Sequence, residues 1–253
     1  MRRSLFILLA LTLAGPGLSQ IRGGADTAAA GPVAQIATLE GKVSLADVVA
    51  ACEQTANADQ AGAVVIRGSL QDEDCQATLT VPCAIQLDGK ARMSLTRCTL
   101  QSQTLNVDDS ASSAGTNSVK LIDSTLTGQG GAGLLIQLTD PKDRIIVKNS
   151  SISYPLGIGL HAPGSRILPD EGGTVVIRKS SLTVSDPTSA GLAATASTSG
   201  RGKVVAAKTT VDTPGVLMVA KRCRAVLNGK RIDCTASTLG ADLVAEAQAV
   251  PGN

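Results

Sequence analysis

Aromatic rings are nearly missing from this chain of 253 residues: there is one Phe, one Tyr and no Trp. Phe6 lies in a segment expected to be removed, which leaves Tyr154 as the one ring of the mature chain. Stacking on sugars or on single-stranded nucleic acid needs aromatic platforms, so neither is expected as the mode of binding. Histidine is as scarce. His161 stands alone and no C-x-x-C occurs, so a zinc centre has no support and no metal or other cofactor is expected. Beyond the N-terminal segment no stretch approaches the ~18 consecutive apolar residues of a spanning helix, so no membrane span is expected. An excess of one charge is lacking too. The formal net charge is +2, and loss of Arg2 and Arg3 takes 23 basic residues to 21, against 21 acidic ones. A balanced chain has no overall field to draw in nucleic acid or anionic lipid, so no nucleic-acid partner is expected.

What is present begins with a three-part N-terminus. Arg2 and Arg3 precede a largely apolar run over 5–14 (LFILLALTLA), and Gly15-Pro16-Gly17-Leu18-Ser19 follows. The pattern predicts a secretory signal over 1–19, cleaved after Ser19, and hence a periplasmic or extracellular protein. Six cysteines remain: Cys52, Cys75, Cys83, Cys98, Cys223 and Cys234. An even number in an exported chain reads as disulfides.

Internal repeats decide the fold class. Residues 93–100 (MSLTRCTL), 119–126 (VKLIDSTL), 145–152 (IIVKNSSI), 175–182 (VVIRKSSL) and 204–211 (VVAAKTTV) share one pattern. It runs apolar, any, apolar, two residues, small polar, any, apolar. Their starts lie 26, 26, 30 and 29 residues apart. Each is followed by a third apolar stretch, at 105–107, 134–136, 158–160, 192–194 and 216–218. Three short strands at a fixed period describe a solenoid. Period-two alternation turns Val119 and Leu121 inward and Lys120 outward. Stacked rungs put equivalent side chains in columns. Cys98, Ser124, Ser150, Ser180 and Thr209 form an inward column, and Arg97, Asp123, Asn149, Lys179 and Lys208 an outward one. Arg97 is expected to pair with Asp123. Lys179 beside Lys208 reads as charge that protects a sheet face from aggregation, or as a strip for a polyanion.

These repeats resemble the right-handed parallel β-helix of the pectate-lyase-like superfamily. Upstream, Leu45, Val48, Val49 and Cys52 mark an amphipathic helix over 44–56, with Ser44 as N-cap and Asp47 in the first turn. Such a helix commonly closes the N-terminal end of β-helices. Residues 63–70 and 79–89 look like the opening rung. The expectation is therefore an all-β, right-handed parallel β-helix of about six rungs over 44–222. A mobile lead-in over 20–43 precedes it, and a hairpin and tail over 223–253 follow. An antiparallel β-sandwich is the competing fold.

The resemblance implies an architecture and no activity. The polygalacturonase-like branch uses Asn-Thr-Asp, Asp-Asp, Gly-His-Gly and Arg-Ile-Lys, and only Asp108-Asp109 is present here. The lyase branch uses a calcium carboxylate cluster and an Arg or Lys base on the strand face, and its motifs are likewise missing. The longest connections (108–118, 139–144, 161–174 and 195–203) fall at one corner, where a solenoid often builds its binding edge. Candidate binding residues there are Asp140, Lys142, Asp143, Arg144, His161, Arg166, Asp170 and Glu171. None is assigned a catalytic role. His161 is expected as an exposed loop residue and Tyr154 as a packing residue at a corner.

Asn228-Gly229 is the preferred pair for a two-residue type I′ turn. Centred there, residue 227 faces 230, and 223 faces 234. A Cys223–Cys234 disulfide is expected to close this hairpin at the C-terminal end. The other four cysteines allow three pairings.

Three functions are compatible with these residues. The leading one is a non-enzymatic, exported β-helix, a structural or ligand-binding component with a glycan or an envelope protein as partner. The second is a divergent lyase or glycoside hydrolase acting on an acidic glycan. The third is a surface adhesin or assembly subunit.

Overall fold

The computed structural model describes residues 35–57, 60–109, 115–140, 142–162, 173–186, 188, 191–196, 202–213, 216–219, 225–227, 230–232 and 238–239. The signal expected over 1–19, most of the lead-in, Arg166, Asp170, Glu171, Cys223 and Cys234 lie outside them.

The strands come in threes. After β1 (Ala37–Val43) and α1 (Leu45–Thr55), the first rung is β2 (Gly62–Glu73), β3 (Gln76–Leu79) and β4 (Cys83–Leu87). The second is β5 (Arg92–Thr96), β6 (Thr99–Ser102) and β7 (Leu105–Asp108), and the third β8 (Ser118–Ile122), β9 (Thr125–Gly128) and β10 (Gly133–Gln137). β11 (Arg144–Lys148), β12 (Ser151–Ser153) and β13 (Gly157–Ala162) make the fourth. β14 (Thr174–Arg178), β15 (Ser181–Thr183) and β16 (Leu192–Ala196) make the fifth, and β17 (Lys203–Ala207), β18 (Thr210–Asp212) and β19 (Val216–Val219) the sixth. All rung-to-rung pairings are parallel, and the sandwich alternative is set aside. First strands run in the order β17-β14-β11-β8-β5-β2 and third strands β4-β7-β10-β13-β16-β19, joined through β2, while the second strands form their own six-stranded sheet. The protein is a parallel β-solenoid of about six turns.

Register follows the repeat with no slip. Met93, Val119, Ile145, Val175 and Val204 stand in one column, and Leu105, Leu134, Ile158, Leu192 and Val216 in another. A shift of one residue would turn every apolar side chain outward, so the buried face sets the pairing. Met93, Val119, Ile145, Val175 and Val204 are all buried in a single core that fills the coil.

The corner between first and second strands is built the same way six times. Asp74, Arg97, Asp123, Asn149, Lys179 and Lys208 all adopt φ between 50° and 53°. Each turns the chain, and the residue after it points inward. Asp and Asn tolerate this left-handed conformation, whereas Arg97, Lys179 and Lys208 carry a steric cost there. The inward hydroxyls then form a ladder. The Ser150 hydroxyl donates to Leu121 O and Lys148 O at 3.2 and 2.8 Å. It also accepts from the Ser124 N–H at 3.1 Å, as the Ser124 and Ser180 hydroxyls do from Cys98 and Ser150. At the N-terminal end the column continues as Cys75 and Cys98, which are joined in a disulfide with Cα atoms 4.4 Å apart. A second disulfide links Cys52 of α1 to Cys83 of β4.

Helix α1 covers the N-terminal end of the core. Ser44 and Asp47 form a capping box, and Asp72 of β2 accepts the Leu45 N–H at 2.8 Å. Its buried side chains are Leu45, Val48, Ala51 and Cys52, with Val49 only partly covered. Gly62 is required beneath it, because a Cβ there would stand 2.1 Å from Cys52 O. The lead-in expected over 20–43 differs from the structure at its end. Ala37–Val43 pairs in parallel with β2, supplying partners to an edge that would otherwise be bare.

At the other end β20 (Ala225–Leu227) and β21 (Lys230–Ile232) pair antiparallel, with Leu227 opposite Lys230 and Ala225 opposite Ile232. That is the register expected for a turn centred on 228 and 229. β22 (Thr238–Leu239) lies antiparallel to β19.

Candidate functional site

The connections between third and first strands bring a group of acids together. Asp109 follows β7, Asn117 precedes β8, and Asp140 and Asp143 lie between β10 and β11. Register explains the meeting: Arg144 pairs with Ser118, so Asp143 and Asn117 occupy equivalent places one rung apart. Asp109, Asn117 and Asp143 are buried, at 1%, 0% and 0% exposure. Asp140 is half-buried.

Backbone groups hold each carboxylate. Asp143 accepts from the Asn117 N–H at 2.7 Å on Oδ1 and from the Asp140 N–H at 2.6 Å on Oδ2. Asp109 Oδ1 accepts from the Thr139 N–H and hydroxyl at 2.7 and 2.9 Å, and its Oδ2 from Asn117 Nδ2 at 3.0 Å. Asp140 Oδ2 accepts from the Gly115 N–H at 3.0 Å. The acids thus tie together chain segments of three successive rungs. Burial, and then the hydrogen bond it gives to Asp109, pushes the Asp143 carboxyl up to about 8. One oxygen from each of Asp109, Asp140 and Asp143 lies within 4.8 Å of the others.

The remaining candidates do not join this group. Lys142 and Arg144 are exposed beside it. His161 is not a loop residue: it stands on β13, half-buried, with Nδ1 2.7 Å from Thr195 Oγ1. Gly159 makes its place, since a Cβ there would lie 2.9 Å from Nε2 and 2.7 Å from Leu135 Cδ1. Burial lowers its pKa and favours the neutral ring.

Asn117 was missed in the sequence, and Asp109 was weighed as a charged residue of the long-loop edge and as half of an Asp-Asp pair. The signal that finds them is register: the residues just before the first strands of successive rungs are Asn117, Asp143, Gly173 and Gly202.

The outward column also differs from expectation. Arg97 pairs with Asp74 and Glu73 of the rung before it, and not with Asp123. Asp123 instead accepts from Asn149 Nδ2 at 2.8 Å. An open groove of about 480 Å³ follows this corner past Asn149, Lys179 and Lys208. Its polar floor includes the buried Ser124, Ser150 and Ser180, whose hydroxyls donate to backbone carbonyls of the corner.

Fold and corners together define a parallel β-solenoid with acid-braced connections. No family model, no curated protein and no solved structure matches the chain.

Proposed function

We propose that this is an exported, non-enzymatic β-solenoid, a structural or ligand-binding component of the periplasm or extracellular space. The observation that carries the reading is the state of its acids. Asp109 and Asp143 are buried and spend their oxygens on backbone N–H groups and on the Thr139 hydroxyl and Asn117 amide, so they brace rungs and do not present an acid/base pair to a glycan. Hydrolysis by paired carboxylates needs both to flank a substrate bond. The two disulfides, and the lack among the described residues of a helix able to cross a membrane, are compatible with export. In this reading residues 1–19 are a signal, the mature chain begins at Gln20, and 223–253 form a hairpin and tail stapled by Cys223–Cys234.

Two measurements test it. Intact mass of the exported protein should correspond to a chain starting at Gln20, and retention of Phe6 there would remove the argument for export. Assays for reducing ends and for unsaturated products over a panel of acidic glycans should show no turnover. Turnover abolished by Asp140→Asn would overturn the non-enzymatic reading.

A further inference from the structure

Three carboxylates converge where the second, third and fourth rungs connect, each with an oxygen within 4.8 Å of the other two. Two oxygens on opposite sides of one calcium ion, about 2.4 Å from it, stand ~4.8 Å apart, so all three carboxylates are within reach of one shared ion, which would take the place of the proton between Asp143 and Asp109. Asn117 is a second and independent pointer. Its amide sits among the carboxylates, donating through Nδ2 to Asp109 and through its own backbone N–H to Asp143. The residue is fully buried, and its Oδ1 has no hydrogen-bond partner among the described residues. Buried polar atoms are almost always partnered, so an orphaned amide oxygen beside clustered carboxylates marks the place of something that accepts electron density.

We propose that this corner is a structural calcium site, with Asp109, Asp140 and Asp143 as carboxylate ligands and Asn117 Oδ1 as the fourth protein oxygen. The donor set is hard oxygen throughout, which suits calcium and not zinc. Calcium takes about six to eight oxygens, and water reaches the remaining positions from the side of half-buried Asp140. The backbone N–H groups already on the carboxylates act as the outer support that fixes ligand orientation. Asp109 and Asp143 are enclosed between connections, so the ion would tie rungs together and would not meet a substrate on the outer strand face. The inference stands apart from the proposed function, and either can fail alone.

The test is calcium binding to the full chain after stripping with chelator, followed by titration calorimetry and by Tm. One calcium per chain is expected, with a saturable rise in Tm that magnesium does not reproduce. Asp140→Asn alters the one half-exposed ligand and leaves both buried braces; it should fold and bind calcium ~10-fold or more weakly. Asn117→Asp adds a carboxylate and should shift both readouts the opposite way, with tighter calcium binding and a lower Tm in chelator. A variant that folds only with calcium supports the site equally. No heat and no Tm change at ~10 mM calcium, far above the range of extracellular calcium modules, would overturn it. So would undiminished binding by Asp140→Asn, or an equal response to magnesium.

Discussion

Tyr154 reaches from the fourth rung across the third to the second. It is fully buried, its hydroxyl meets Ser102 Oγ at 2.7 Å, and its ring occupies the space above Gly128, where a Cβ would come within 2.4 Å of it. Burial pushes its hydroxyl up to about 12, so it stays neutral across the working range. Tyr154→Phe should destabilise the fold by about 1–3 kcal/mol, because Ser102 is left buried without its partner. Chemical denaturation would check this, and an unchanged midpoint would mean that the Ser102 hydroxyl finds another acceptor. Asp143 makes a pH prediction with a definite sign. Its pKa is raised in the folded chain, where burial keeps the proton, Asp109 accepts its hydrogen bond and adds a repelling negative charge, and Asp140 is the third acid of the cluster. The stabilising contribution is full below the ordinary carboxylate range, falls as pH rises, and is lost above about 8. In chelator, stability should therefore decline with pH by up to ~1.4 kcal/mol per unit. Asp143→Asn should flatten that slope in a series of denaturation curves.

At the level of elements, each corner has a left-handed residue followed by an inward hydroxyl or cysteine. This motif recurs because two strands must meet at an angle while every N–H keeps a partner: the Asn149 N–H reaches Arg178 O at 2.9 Å and the Ser150 N–H reaches Ser180 Oγ at 3.2 Å. The disulfide of Cys75 with Cys98 replaces the hydroxyl link in the first step of the column. The strands divide into interior and exterior positions with different tolerances. Val147 and Ile177 face each other in register and are fully buried, whereas Lys142 is exposed. Val147→Asp or Ile177→Asp should unfold the chain, since an unpaired charge in this core costs several kcal/mol out of a total of about 5–15. Lys142→Ala should leave Tm within about a degree, as surface changes usually do. Equal losses of Tm from the two sets would refute the division.

The whole molecule is closed at its N-terminal end by β1 and α1, and this closure is covalent through Cys52–Cys83. A solenoid is held by contacts between neighbouring rungs, so its ends are where fraying starts. The β20–β21 pair at the C-terminal end has the register that would set residue 223 against 234, although both cysteines lie outside the described residues. Non-reducing peptide mapping should return Cys52–Cys83, Cys75–Cys98 and Cys223–Cys234. Linkage of Cys223 to any of the other four would disprove the hairpin staple.

The amino-acid sequence by itself determined the architecture. A period of 26–30 residues with fixed apolar spacing admits one register, because any slip exposes the core; hence the rungs, the inward hydroxyl column and the cap at Ser44 were all legible. Pairing of Cys75 with Cys98 was legible too, had residues 74–79 been aligned on the same corner. The tertiary structure alone decided where polar side chains end. Arg97 turned to the rung before it, His161 settled on a strand, and Asp109 and Asn117 of one connection closed on Asp143 of the next, 26 residues beyond Asn117. The physical reason is that loop side chains obey no period. Their partners are set by how the connections fold back between rungs, and burial then converts ordinary acids into a brace.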